Sequence, residues 1–276
     1  MTYTTITMTP DVNNSQVAIL TLNRPEAMNS FNVDMCYEMI AAVEAADADP
    51  NIRVIVVTGA GRAFCAGADI SQGFDAVAPS EVDEATGIGR DLGGVLNLAL
   101  FDCDTPILAA INGAAVGIGA TMTIPMDIRI ASEKSKFAFP FARRGIVFDG
   151  AASWFLPRLV GFAKANEWIL KADIIMADEM QRAGFVSEVL APKNVLPRAL
   201  DLARDIAVNC SPTSTAINKR LLRDSMFGSG AMDGAAYQMH LKESELLTKA
   251  FASYDCHEGV TAFFEKRPPK FKNREG

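Results

Sequence analysis

The chain is poor in the residues on which common enzyme templates are built. Among 276 residues there are two histidines, His240 and His257, and two tryptophans. Both histidines fall in a C-terminal part that reads as helical, and no Gly-x-Ser-x-Gly occurs, so a serine triad on a nucleophile elbow is excluded. Neither Gly-x-x-x-x-Gly-Lys-Ser/Thr nor Gly-x-Gly-x-x-Gly is present, which removes the usual nucleotide loops. His257 lies beside Cys256 and Glu258, but no companion ligands are spaced to complete a metal site, so no metal is expected. The five cysteines (Cys36, Cys65, Cys103, Cys210, Cys256) include no Cys-x-x-Cys. An odd count behind an opening stretch without a secretory leader predicts reduced thiols in a cytoplasmic protein. Basic residues do not cluster before Lys266–Lys272, and the net charge is −7, so no nucleic-acid partner is expected. One uncharged run, Ile107–Met126, is long enough to span a bilayer. Asn112-Gly113, Gly117, Gly119 and Pro125 break it, and it reads as a buried strand–turn–helix, with no membrane partner.

What is present is an ordinary globular composition, 49% hydrophobic and 21% charged. The length suits one core with an appendage, divided here into a body at residues 1–195 and a helical region at 196–276. Strands are expected at Val17–Leu22, Val54–Thr58, Pro106–Ile111, Asp127–Ala131, Lys136–Phe139 and Val186–Leu190. Helices are expected from Asn32 (as N-cap), over Arg90–Phe101, Phe162–Leu170 and Asp178–Ala183, and after Pro192 to about Lys266. Ser71–Gly89 has little pattern and reads as a loop over a pocket. Alternating strands and helices make the class α/β.

Two stretches carry chemistry. In Arg53–Ile70 a β-branched run stops at Gly59, and Gly61, Gly67 and Ala68 follow with almost no side chain, leaving amides open to a neighbour. Ile111–Ala120 repeats the logic: a strand, a glycine turn, then a helix starting near Gly117 whose first-turn amides lack intrahelical partners. One amide from each stretch, converging on a carbonyl oxygen, would stabilise developing negative charge.

These two stretches, with the early Leu22–Asn32 segment and the Ala262–Arg267 ending, resemble the crotonase (enoyl-CoA hydratase/isomerase) superfamily from about Val17 to the basic C-terminus. The resemblance implies a spiral of ββα units and a C-terminal helical region that trimerises, giving a homotrimer or a dimer of trimers. It implies an acyl-coenzyme A thioester as substrate and a place in fatty acid metabolism. Coenzyme A then enters as part of that substrate, with no tightly bound cofactor. Carried onto this chain, the oxyanion-hole amides are those of Ala68 and Ile118. Glycine is usual at the second position, so Ile118 is expected to narrow the pocket. The coenzyme would be held by Arg24 and the backbone near Ala27, by Ala66 and the Asp69-Ile70 backbone, and by Phe263 and Lys266.

The two glutamates that hydratases resembling this chain use fall here on Thr121 and Phe141, so water activation by an acid–base pair lacks its groups. Asp149 remains, at a position where some isomerases of the family place their single acid, although Phe148 replaces the usual proline before it. Flanked by Ile146, Val147 and Phe148, Asp149 is expected to be desolvated and its pKa raised. Its alternative reading is an N-cap for a helix starting near Gly150. The favoured function is therefore an enoyl-CoA isomerase with Asp149 as proton shuttle. The alternatives are a hydratase, hydrolase or dehalogenase using Asp149 and water, or a non-catalytic acyl-CoA-binding paralogue. Phe74, Thr121, Phe141 and Trp154 hint at an apolar acyl pocket.

Overall fold

Val54–Gly59 is buried along its whole length, because sheet neighbours flank it and both of its faces are covered. The computed structural model describes residues 3–71, 81–225 and 253–273. In chain order its strands are β1 (Ile6–Asp11), β2 (Asn14–Leu22), β3 (Val54–Gly59), β4 (Ala63–Cys65), β5 (Glu81–Val82), β6 (Gly89–Arg90), β7 (Ile107–Ile111), β8 (Ala114–Val116), β9 (Ile128–Ser132), β10 (Lys136–Ala138), β11 (Ile174–Met176) and β12 (Glu188–Leu190). The helices are α1 (Val33–Ala48), α2 (Leu92–Asp102), α3 (Ile118–Thr121), α4 (Ala152–Val160), α5 (Phe162–Lys171), α6 (Ala177–Arg182), α7 (Pro192–Asn209), α8 (Pro212–Ser225) and α9 (Tyr254–Glu265).

The main sheet runs β1-β2-β3-β7-β9-β12 and is parallel except for β1, which forms an antiparallel hairpin with β2. A second sheet, β11-β10-β8-β4, stacks the short strands that follow β3, β7 and β9. Each long strand thus continues, after a turn, into a short strand of the other sheet and then a helix. That is the ββα spiral expected from the resemblance.

Strand alternation divides the core in two. Val54 and Val56 of β3, with Leu108 and Ala110 of β7, meet Val195, Ala199, Ala203 and Ala207 of α7. Those α7 residues recur every four positions on one helix face, and the three alanines let the helix lie close to the sheet. Ile55, Val57, Ile107, Ala109 and Ile111 point the other way, into a larger cluster with Phe64, Leu96, Phe137 and Phe139.

Most expected elements are present, with differences of local cause. Asn32 caps α1, its side chain accepting from the Met35 amide at 2.9 Å. The helix expected from Arg90 begins at Leu92, because Asp91 takes the cap by accepting from the Gly94 amide at 2.7 Å. Within Ser71–Gly89, residues 72–80 lie outside the described residues, while β5 and β6 form a small antiparallel ribbon. Asp149 is not the cap of the following helix: α4 starts at Ala152 after Ala151, which adopts a left-handed φ of 52°. The helical run after Pro192 breaks at Cys210-Ser211 between α7 and α8, and residues 226–252 lie outside the described residues. Residue 195, the division drawn from sequence, falls inside α7. Among the described residues no helix is long and apolar enough to cross a membrane, and Ile107–Met126 folds as β7, β8 and α3.

Candidate active site

The two glycine-rich stretches meet where β4 pairs in parallel with β8, Ala63 opposite Ala114 and Cys65 opposite Ala115. Gly119 makes this approach possible: a Cβ there would lie 2.2 Å from the Cys65 carbonyl oxygen. Just beyond, a Cβ on Gly67 would lie 3.2 Å from the Val116 carbonyl oxygen, so the two turns touch through backbone.

This contact aims the two expected amides. Phe31 bridges Ala68 in parallel, its N–H donating to Gly67 O at 2.8 Å and its carbonyl accepting from the Asp69 N–H at 2.7 Å. In such a bridge the bonds go to the neighbours of Ala68, whose own N–H faces away from Phe31. Ile118 is the first residue of α3, where an N–H has no partner within the helix. Among the described residues neither the Ala68 nor the Ile118 amide donates to a carbonyl. Both residues line a cavity of about 350 Å³.

Asp149 lines the same cavity. The chain reaches it from β10 through Pro140, Phe141 and a 3-10 turn at Ala142–Arg144 closed by Gly145. The Thr121 hydroxyl donates to Asp149 Oδ1 at 2.8 Å. The next residue is held from both sides: the Gly150 amide donates to Asp91 Oδ1 at 3.1 Å, and Asn97 Nδ2 donates to Gly150 O at 2.7 Å and to Thr121 O at 3.1 Å. Gly93 leaves room for the acid, since a Cβ there would sit 3.1 Å from Asp149 Cγ and 2.8 Å from Ile118 Cδ1. Burial pushes the Asp149 carboxyl up to about 6, with the Thr121 hydrogen bond opposing the rise and the charge of Asp91 adding to it. Of the flanking residues expected to desolvate it, Ile146 and Val147 line the same cavity but are exposed, Val147 at 86%, and Phe148 is half-buried on the core; Thr121 and Gly93 crowd the carboxyl itself.

Of the residues singled out from sequence, the cavity wall gathers Ala66, Ala68, Ile70, Ile118, Phe141 and Asp149. Thr121 is fully buried behind the wall, as the partner of the acid. Trp154 does not line the cavity; on α4 it meets Phe101 edge-on with ring centroids 5.8 Å apart and carries the Arg158 guanidinium 4.2 Å from its own ring. Arg24 and Asp69 pair at 2.8 Å, which drives the Asp69 carboxyl down to about 2, and Arg24 also donates to Ser30 O. Ala27 ends a 3-10 turn tied to the first stretch by the Ala66 amide donating to Met28 O at 3.1 Å. Phe74 and the Phe263 side chain lie outside the described residues. Lys266 is exposed after α9, a segment anchored by Asp255 to Ser211 and by Phe271 O to Arg53, at the start of β3. Within one chain it does not line the cavity.

Sequence reasoning missed Asp91, Gly93 and Arg144 in the cavity wall and Asn97 behind it. Only Asp91 had a local signal, an acidic residue ahead of an apolar helical run. Burial pushes the Cys65 thiol up to about 12, which leaves it no role as a nucleophile. Among the described residues no three His, Cys, Asp or Glu side chains are grouped to share a metal ion.

Geometry of this kind has counterparts in known proteins. The family model for Enoyl-CoA hydratase/isomerase matches residues 12–274. The chain is 41% identical to an enoyl-CoA hydratase of Alternaria alternata, over 93% of this chain and 83% of that protein. It is 33% identical to the 1,2-epoxyphenylacetyl-CoA isomerase of Escherichia coli, over 94% of this chain and 95% of that protein. A solved structure of a probable enoyl-CoA hydratase/isomerase from Mycobacterium abscessus superposes with a TM-score of 0.85 at 36% identity, covering 98% of this chain and 100% of that one.

Proposed function

The chain belongs to the enoyl-CoA hydratase/isomerase family, and within it we propose an isomerase that moves a double bond of an enoyl-CoA thioester from the 3- to the 2-position. The thioester carbonyl oxygen accepts from the Ala68 and Ile118 amides. The Asp149 carboxylate removes a proton from the α carbon, and the electron pair flows through the carbonyl to give a dienolate whose oxygen those amides hold. Removing one such donor typically costs about 3–4 kcal/mol of barrier, the scale needed to make the α proton acidic enough for a carboxylate. Asp149, now protonated, returns the proton at the γ carbon, the double bond settles beside the carbonyl, and the carboxylate is restored.

The observation that carries this reading is the crowded Asp149, raised to about 6, in one cavity wall with two unengaged amides, with the neutral Thr121 and Phe141 where the resemblance puts the acids of hydration. A base of that pKa is mostly ionised at neutral pH yet strong enough to shuttle a proton. Hydration is the second reading, favoured by two facts: Asp91 also lines the cavity, and a relative 41% identical carries a hydratase name. The Asp91 Oδ1 already accepts from the Gly94 and Gly150 amides, which ties that carboxyl into the frame around the Asp149 loop. Supplying 2-enoyl and 3-enoyl thioesters side by side and identifying products by mass tests the two. Conversion of 3-enoyl to 2-enoyl without addition of water is expected; hydration of the 2-enoyl thioester as the faster reaction would overturn it. The same reading takes coenzyme A as part of the substrate and residues 196–276 as the trimerisation region, which sedimentation at several concentrations tests.

A further inference from the structure

Resting on the acyl-thioester reading of this cavity, we propose that Arg144 makes the site selective for an acyl chain that carries a carboxylate at its far end. Nearly every described arginine is committed to a carboxylate or a carbonyl within the chain. Arg143, its neighbour, pairs with Asp173 and donates to Lys171 O. Arg62 reaches only the Met28 sulfur, at 3.4 Å. Among the described residues the Arg144 guanidinium has no hydrogen-bond or ion-pair partner, and Arg144 lies in the wall of the catalytic cavity.

Its position fits the distal end of a substrate rather than the reacting end. Arg144 closes the 3-10 turn between Phe141 and Ile146, which also line the cavity, while Ala66 and Ile70 line it from the first glycine-rich stretch. A thioester held by its carbonyl on the two amides shares this cavity with Phe141, Ile146 and Arg144, and its acyl chain then has those residues as its surroundings. Apolar walls on the way suit methylene groups, and a planar guanidinium suits a two-oxygen anion at the end.

Saturated thioesters cannot undergo the proposed isomerisation, so their binding tests this inference separately from the reaction. Titration calorimetry compares diacid thioesters of four to ten carbons with monoacid thioesters of the same lengths, and with coenzyme A alone. The wild type is expected to prefer the diacid roughly 10- to 100-fold at one or more lengths. In Arg144→Gln the ratio is expected to collapse to near one. The methyl ester of the preferred diacid thioester, tested on the wild type, removes the anion without altering the protein and is expected to lose the same factor. A wild-type ratio near one at every length, or a preference that survives in Arg144→Gln, overturns the inference. Equal weakening of coenzyme A and both thioester series in the variant also overturns it, by assigning Arg144 to the carrier's phosphates. Failure of every thioester to bind would instead overturn the acyl-thioester reading, and this inference with it.

Discussion

Replacing Thr121 by valine removes the hydroxyl that donates to Asp149 Oδ1 at 2.8 Å and leaves the shape of this fully buried side chain almost unchanged. A hydrogen bond to a charged group is worth about 1.5–3 kcal/mol, which at 1.36 kcal/mol per pKa unit is roughly one to two units. The bond favours the ionised carboxyl, so its loss raises the Asp149 pKa further, from about 6 into the range of roughly 7–8. The active form is the carboxylate, so its fraction at pH 7 falls from about 0.9 to between about 0.1 and 0.5. The pH profile of kcat/KM for the 3-enoyl thioester reads this directly. The acidic limb is expected to move upward, with a loss of about two- to ten-fold at pH 7 that closes by pH 9–10. A limb left near pH 6, or a loss as deep at pH 9 as at pH 7, would refute the assignment of Thr121 as the partner of a working base.

Other substitutions probe the surrounding frame. Because the folded-state pKa of Asp149 is raised from 3.8 to about 6, its ionised form costs stability above pH 6, and the cost disappears below pH 4. Asp149→Asn is therefore expected to be more stable than the wild type by up to about 3 kcal/mol at pH 8 and equal to it near pH 4, measured by denaturant unfolding. Asp91→Asn keeps an oxygen to accept from the Gly94 and Gly150 amides but removes the charge that raises Asp149. The acidic limb of its kcat/KM profile is expected to move to lower pH, and an upward movement would contradict the assignment. Gly119→Ala forces a methyl against the Cys65 carbonyl and is expected to lower stability by about 3 kcal/mol or more in the same unfolding assay.

What could be read from the sequence was what local rules determine. Asn32 is a cap because an Asn side chain ahead of a helical run has an orphan amide to receive, and the structure shows that bond. Ala68 and Ile118 could be named because small residues after β-branched runs imply open amides, and the resemblance to a known family fixed which ones. Asp149 is reached through that resemblance, but only part of its burial is legible beside it: Phe148 is half-buried on the core while Val147 is 86% exposed, and the contacts on the carboxyl come from Gly93 and Thr121, far away in sequence. Asp91 acts through Gly150, 59 residues away, a pairing that only the packing of α2 against the Asp149 loop creates. Strands β4, β8, β10 and β11 have three residues each, too few for alternation to show in sequence, although β10 lay within an expected run. Trp154 shows the converse: an aromatic near the acid in sequence suggests a pocket wall, and the register of α4 turns it to Phe101 and Arg158 instead.

The central claim is that one carboxyl, Asp149, removes the α proton of a thioester held by two backbone amides. Exchange of that proton in heavy water, followed by NMR on a bound thioester with wild type and with Asp149→Asn, measures the step itself. The account predicts exchange by the wild type and a loss of about 10²–10⁴ in the variant at unchanged thioester affinity. Exchange at the wild-type rate in Asp149→Asn would contradict it.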